Sequence, residues 1–257
     1  MHPEWRSRYE LAIETAQKAG QLALGYFQSA VAVEWKQDAS PVTVADREAE
    51  ALLRGAFLGA FPYDGFLGEE TGDQAGSSGF RWIIDPIDGT RNFVRGIPLW
   101  ATLVGLEFQG DPIAGIAVLP AMGQTFRALR GDGAYRDGRR IHVSKIDKLG
   151  DANLFYSSIS WFRKAGREQM FLDMASRVQR QRGFGDFYGF VLVAQGSGEI
   201  MMEYGVHAWD LGALVPIVQE AGGKMTAWDG IANIDRPDVL ASNGLLHDAA
   251  LAILNEK

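Results

Sequence analysis

The feature that most narrows what this chain can fold into is a buried strand that ends in paired carboxylates. Residues 81–85 (RWIID) carry the apolar run of a short buried strand and lead directly into Asp85-Pro86-Ile87-Asp88-Gly89-Thr90. Pro86 fixes φ and has no N–H, so a tight turn is expected that aims Asp85, Asp88 and the Ile87 carbonyl at one point. Two carboxylates and a carbonyl converging in this way repel one another unless a cation lies between them. Gly89 lets the backbone approach closely, and the N–H groups of Gly89 and Thr90 can face an anion such as phosphate. The same six residues also read as an ordinary turn with capping aspartates. Two more acidic clusters flank apolar segments. Gly68-Glu69-Glu70 follows Phe66-Leu67 and alone reads as a solvated loop; Asp210, after Trp209, alone reads as a helix N-cap.

The composition decides what kind of cation could serve. The chain has no cysteine, and its four histidines (His2, His142, His207, His247) are widely scattered. Disulfides, thiolate nucleophiles and Cys-ligated metals are excluded, and oxygen ligands favour Mg²⁺, Mn²⁺ or Ca²⁺ over zinc or copper. Lys plus Arg number 25 against 32 Asp plus Glu, a net charge of −7 that argues against a nucleic-acid partner. The opening MHPEWRSRYELAIETAQKAG has charges throughout and no signal-peptide apolar core. No stretch nears the ~18 apolar residues of a membrane span, so the expectation is a cytoplasmic protein without a membrane partner.

Apolar residues at gaps of three and four predict helices over 5–28 and 45–61, the second stopped by Pro62. Strands are expected over 99–108 and 113–119, then a hairpin over 124–129 and 133–136, followed by a polar linker over 141–152. The second half alternates. Strands are expected at 153–158, 199–203, 224–228 and 239–242, and helices at 164–180, 189–196, 208–221 and 245–254. Such interleaving predicts layered α+β packing. Two tightly packed halves, 1–145 and 146–257, are expected to form one catalytic unit, the first with the metal and phosphate loops and the second with the substrate contacts and last metal ligand.

Four segments occur in a telling order: DASPVTVAD (38–46), Gly68-Glu69-Glu70, WIIDPIDGTRNF (82–93) and WDLGALVPIVQEAGG (209–223). Together they resemble the inositol monophosphatase family of Mg²⁺-dependent, lithium-sensitive phosphatases, over residues 11–251. The resemblance implies a layered αβαβα sandwich, assembled as a homodimer. It implies two or three Mg²⁺ ions, with Mn²⁺ able to substitute and Li⁺ inhibitory, and a small phosphorylated substrate. Residue by residue, it implies Glu69, Asp85, the Ile87 carbonyl, Asp88 and Asp210 as metal ligands. Glu69 and Thr90 would orient an attacking water, with Asp46 holding the Thr90 hydroxyl. Asp88, Gly89, Thr90 and Asp210 would lie against the phosphate, and Glu203 against the organic part of the substrate.

Residues 182–188 (RGFGDFY) and 91–98 (RNFVRGIP) resemble the histidinol-phosphate phosphatase branch of that family. A carboxylate at Asp186, joined by Glu203, suits a substrate bearing an amine and an imidazole, whereas a neutral polyol needs no such charge. Residues 204–210 (YGVHAWD) are closer to inositol monophosphatases, so inositol phosphate stays as an alternative. A role as a transcription-complex binding partner is a reading of another class; the full set of carboxylates and the acidic balance argue against it. Trp82 and Trp209 are expected in the core, and His207 packed or solvated. Lys36, Arg91 and Arg95 are expected at the surface, with reach toward a phosphate as the alternative. Glu220 is expected to serve its helix end.

Overall fold

Helix α1 (Pro3–Tyr26) forms over the expected apolar period and buries Tyr9, Ala12, Ala16, Ala19 and Ala23. The small residues on that face let it lie close against α2 (Val44–Ala60). The computed structural model describes residues 3–29, 33–35 and 41–256, so Lys36 and residues 38–40 of the DASPVTVAD segment lie outside the described residues. Short strands β1 (Val33–Trp35) and β2 (Pro41–Thr43) pair antiparallel just before α2.

The first large sheet is built from β3 (Gly65–Gly68), β4 (Gly72–Gln74), β5 (Phe80–Asp88), β6 (Ala101–Phe108), β7 (Asp111–Leu119), β8 (Gln124–Leu129), β9 (Gly133–Arg136) and β10 (Arg139–Arg140). Its order is β10-β9-β8-β7-β6-β5-β3-β4, with only β3 and β5 parallel. The second sheet comprises β11 (Asn153–Phe155), β12 (Arg180–Arg182), β13 (Ile200–Tyr204), β14 (Lys224–Thr226) and β15 (Asp238–Ser242), in the order β12-β11-β13-β15-β14. Seven further helices among the described residues separate and cover these sheets: α3 (Thr90–Val94) follows β5, then α4 (Ile159–Lys164), α5 (Glu168–Arg177), α6 (Asp186–Ala194), α7 (Ala208–Leu211), α8 (Leu214–Glu220) and α9 (His247–Leu254).

Strand alternation explains the five αβαβα layers. On β6, Val104 and Leu106 join the apolar cluster under α1 and α2, while Ala101 and Leu103 join the cluster with α6 and α8. On β13, Met201 joins that same middle cluster, and Ile200 and Met202 face α4, α5 and α9. The middle layer sits very close to the large sheet. Gly105 and Gly115 pair across β6 and β7, and a Cβ there would lie 2.6 Å from the Gly212 carbonyl carbon and 1.9 Å from the Ala213 carbonyl oxygen. Beneath α1, a buried Asp64 accepts from Arg8 Nε at 2.8 Å, Arg8 Nη2 at 2.9 Å, Ser78 Oγ at 2.7 Å and Trp82 Nε1 at 3.1 Å. This fully bonded pair fixes the start of β5 against α1.

The structure corrects several expectations. Pro86 does not make a tight turn. Strand β5 runs through it to Asp88 as a bulge, with the pairing register against β6 shifting between Asp85 and Asp88. A proline offers no ladder N–H, and the Pro86 carbonyl instead accepts from Thr102 Oγ1 at 2.9 Å. The helix expected over 164–180 is two, α4 and α5. Gly166, at φ +69°, ends the first in the left-handed conformation, and 180–182 are strand. The helix expected over 189–196 starts earlier, at Asp186, and the one over 208–221 divides at Gly212-Ala213 into α7 and α8.

Candidate active site

The bulge at Pro86 is what brings two carboxylates of one strand to the same place. Asp85 Oδ1 accepts from Ile87 N at 3.0 Å, and Asp88 Oδ2 accepts from Phe187 N at 2.8 Å, at the start of α6. Asp210, in the first turn of α7, accepts from His207 N at 2.7 Å. Asp85, Asp88 and Asp210 each present an oxygen, and these oxygens all lie within 4.8 Å of one another. Asp85 and Asp88 are buried, and among the described residues no Lys or Arg pairs with either. Burial first, then the charges of Glu69, Asp88 and Asp210, raise the Asp85 pKa well above its ordinary range. Asp88 is raised by burial and by the charges of Asp186 and Asp210. Hard oxygen donors held together at such electrostatic cost fit a divalent cation of the Mg²⁺ or Mn²⁺ kind.

Glu69 lines the same cleft and acts on both aspartates through its charge, but it lies outside the tight group of three. A residue that sequence reasoning missed governs its loop. Glu50 of α2 is fully buried; its Oε2 accepts from Glu70 N at 2.9 Å and its Oε1 from Thr71 N at 2.8 Å. A Cβ on Gly68 would lie 2.4 Å from Glu50 Oε1, so only glycine lets the strand end sit on that carboxylate. The signal was available: Glu50 shares the apolar stripe of α2 with Ala49, Leu53 and Phe57, where an unpartnered carboxylate is costly.

Asp46, on the same stripe, accepts at Oδ2 from Thr43 N at 2.8 Å and Thr43 Oγ1 at 2.6 Å. Thr90 Oγ1 lies 3.5 Å from Asp46 Oδ1 but 2.9 Å from the Ile87 carbonyl. A hydroxyl has one proton, so the stronger bond here goes to Ile87. Gly89 has φ +86°, and a Cβ there would lie 3.0 Å from the Leu99 carbonyl and 3.3 Å from Asp186 Oδ2. Asn92 was also missed: its Nδ2 donates to the Leu99 carbonyl at 2.9 Å and to Asp186 Oδ2 at 3.2 Å, tying α3 to α6.

Asp186 is the first residue of α6 and holds φ +49°, an uncommon conformation for a non-glycine residue. Burial, with Asp210's charge adding and Arg91's opposing, raises its pKa to about 6. Glu203 on β13 is buried. Its Oε1 accepts from Ser157 Oγ at 2.6 Å and Tyr204 N at 3.2 Å, while its Oε2 has no hydrogen-bond partner among the described residues. Burial pushes the Glu203 pKa to about 8, against the Ser157 hydrogen bond.

Glu69, Asp85, Ile87, Asp88, Gly89, Thr90, Asn92, Asp186, Glu203 and Asp210 line one open cleft of about 1130 Å³, with Trp161, Phe184, Tyr204 and Trp209 as aromatic wall. Trp82 is fully buried and stacks on Phe57 at 4.0 Å, as a core residue should. Trp209 corrects the expectation of a core position: it is partly exposed in the cleft, stacked at 4.7 Å on the exposed ring of His207. Arg91 lines the cleft at its surface and Arg95 is exposed. Glu220 accepts from Gly131 N at 3.0 Å and Gly133 N at 2.9 Å, tying the end of α8 to the β8–β9 turn.

Five layers around an oxygen-donor cleft are the architecture of a phosphomonoesterase class, and the sequence comparisons agree. The profile of the inositol monophosphatase family matches residues 4–257, and the chain belongs to that family. It is 41% identical over 251 residues to a histidinol-phosphatase of Mycobacterium tuberculosis, covering 95% of this chain and 96% of the relative. A histidinol-phosphatase of Streptomyces coelicolor is 40% identical over 265 residues, covering 99% of each chain. Among solved structures, the extragenic suppressor protein suhB of Bartonella henselae superposes with a TM-score of 0.90 at 30% identity, covering 96% of this chain and 98% of that one. Among the described residues, no helix is long and apolar enough to cross a membrane.

Proposed function

We propose that this chain hydrolyses histidinol phosphate to histidinol and inorganic phosphate. The observation that carries this reading is Glu203 Oε2, buried without a hydrogen-bond partner among the described residues in the wall of the cleft that also holds Asp85, Asp88 and Asp210. A buried carboxyl with an unused oxygen is costly. An amine or imidazolium on the substrate supplies the missing donor and the opposite charge, and Asp186 adds a second carboxyl to the same cleft. A neutral polyol supplies no such charge. The identity to two histidinol-phosphatases over nearly the whole chain supports the same substrate.

Asp85, Asp88, Asp210, Glu69 and the Ile87 carbonyl would hold two or three Mg²⁺ ions, or Mn²⁺, which supply Lewis-acid polarisation and neutralise phosphoryl charge. Glu69 and Thr90 orient the attacking water, whose oxygen bonds to phosphorus in line as the ester P–O bond breaks. The proton lost by the water and the proton gained by the leaving alkoxide balance. Asp46 anchors the start of α2 through Thr43, 3.5 Å from the Thr90 hydroxyl, which donates to the Ile87 carbonyl at 2.9 Å. The backbone N–H groups of Gly89 and Thr90 bind the phosphate, with Asp88 and Asp210 beside it. A homodimer belongs to the same reading, tested by light scattering at twice the chain's mass.

The substrate is tested by comparing kcat/KM for histidinol phosphate and inositol 1-phosphate. The expected preference for histidinol phosphate exceeds about tenfold, or ~1.4 kcal/mol of transition-state discrimination. Glu203→Gln and Asp186→Asn should each erode that preference while leaving inositol 1-phosphate turnover nearly unchanged. A preference for inositol 1-phosphate that neither variant alters would overturn the assignment.

Glu50→Ala strips the partner from two backbone N–H groups and frees the loop that carries Glu69. The expected outcome is a rise of about 10- to 100-fold in the Mg²⁺ concentration needed for half-maximal activity, the usual cost of losing a group that orients a metal ligand. A Mg²⁺ titration of phosphate release checks it, with Mg²⁺ binding followed by calorimetry on the same variant.

A further inference from the structure

A second cavity, of about 320 Å³, shares a wall with the cleft: Asp235 lines both, and Leu211, next to Asp210 in sequence, forms part of its floor. Val215, Met225, Ile234 and Val239 add apolar surface beside it, among polar lining from Gln219, Thr226 and the Arg130–Asp111 ion pair. At its polar side stand Arg81 and Glu107, neighbours across β5 and β6. Arg81 Nε donates to Glu107 Oε2 at 2.8 Å, and no other hydrogen bond among the described residues engages either side chain. The two terminal guanidinium nitrogens and Glu107 Oε1 are therefore left for another partner. The Arg81 side chain is 34% exposed and that of Glu107 only 5%, so what the carboxylate can still meet lies within the cavity it lines. Burial keeps the Glu107 pKa above its ordinary range in spite of Arg81, which marks a site where further positive charge is welcome.

Cation, anion and apolar surface in one hollow of this size match one kind of small molecule. We propose that this cavity binds the zwitterion of an α-amino acid with an apolar or aromatic side chain. Its carboxylate takes the terminal nitrogens of Arg81 in a forked contact. Its ammonium sits between Glu107 Oε1 and Asp235, and its side chain covers Leu211, Val215, Met225 and Ile234. This site is separate from the hydrolysis proposed above and does not depend on the identity of the phosphoester.

Calorimetry on the full chain with Mg²⁺ tests it, using L-leucine and L-phenylalanine as probes. The controls are 3-methylbutylamine and phenethylamine, which lack the carboxylate, and 4-methylpentanoate and 3-phenylpropionate, which lack the ammonium. At least one amino acid is expected to bind with 1:1 stoichiometry, and its charge-deleted analogues at least about tenfold more weakly. Arg81→Gln should weaken that binding by a similar factor. Ile234→Trp, a change in the irregular segment that lines the cavity, should fill it and abolish binding while the protein stays folded. Asp186→Asn, in the other cleft, should leave it unchanged. Absence of binding by either amino acid at about 10 mM would overturn the proposal. So would equal binding of the charge-deleted analogues, binding that survives Ile234→Trp, or binding lost in Asp186→Asn.

Discussion

Asp85→Asn lowers kcat/KM for phosphate release by about 1,000-fold or more, roughly 4 kcal/mol of barrier, without unfolding the protein. The asymmetry follows from where Asp85 sits. Its Oδ1 accepts only from Ile87 N, a bond the asparagine oxygen keeps, so the bulge in β5 is retained. What disappears is one negative charge from a group of three carboxylates whose oxygens lie within 4.8 Å of one another. In the absence of divalent cation that charge is a burden, raised in pKa by burial and by Glu69, Asp88 and Asp210. The metal-free variant is therefore expected to melt at the same temperature as the wild type or above it. Phosphate release at saturating Mg²⁺ and a thermal melt in EDTA check the two halves. Activity retained at saturating Mg²⁺ would remove Asp85 from the machinery.

Stripped of divalent cations, the protein loses stability as pH rises from about 5 to about 8, by roughly 1.4 kcal/mol per pH unit for each group that stays protonated in the folded state. The sign follows from proton counts. Glu203 holds its proton up to about pH 8 when folded, against an ordinary 4.5, and Asp85 and Asp88 are raised well above 3.8. Across that window the folded chain binds more protons than the unfolded chain, so the free energy of unfolding falls as protons become scarce. Stability is greatest near the lower edge of the window. Mg²⁺ should reverse the loss at pH 8, because ionised Asp85 and Asp88 then face a cation, and its binding should release protons. Urea denaturation across pH, in EDTA and in Mg²⁺, measures both. A metal-free stability that rises over the same window would mean that these carboxylates are ionised and paired.

The long periodic elements could be read from the sequence because their apolar spacing is set by burial on one face. The one-face stripe over 45–61 became α2, and the continuous apolar run over 99–108 became β6, a strand buried on both faces. Short edge strands could not be read that way. Arg180–Arg182 and Gly72–Gln74 are three residues each, polar and mostly exposed, and take strand form only because a neighbour pairs with them. Pro86 misled for a physical reason: proline is rare inside strands, and the exception, a bulge, needs Thr102 on the facing strand to satisfy the freed carbonyl.

The candidate site was legible where one local segment carries the chemistry, as at Asp85 and Asp88; Asp210 alone read as a helix N-cap and was joined to them only by the resemblance, and the fold brings the three oxygens together. Asp186 and Glu203 were named on resemblance and the charge a cationic substrate calls for, and their bonds reach across the chain. Asp88 accepts from Phe187, and Glu203 from Ser157, residues brought together only by the packing of α6 and β13. Glu50 escaped because charge on a helix is ordinarily taken as a solvated face. Its place on the buried stripe of α2 was the contrary sign. Trp209 was misplaced because an indole beside a helix start serves a core or a cleft wall equally well by composition.

Buried carboxylates that hold divalent cations are the centre of the proposed hydrolysis. A crystal of the protein grown with Mn²⁺ and recorded at the manganese absorption edge tests this most directly. An anomalous peak coordinated by Asp85, Asp88 and Asp210 is the expected result. Well-ordered carboxylates with no peak among them, or manganese bound only elsewhere on the chain, would contradict it.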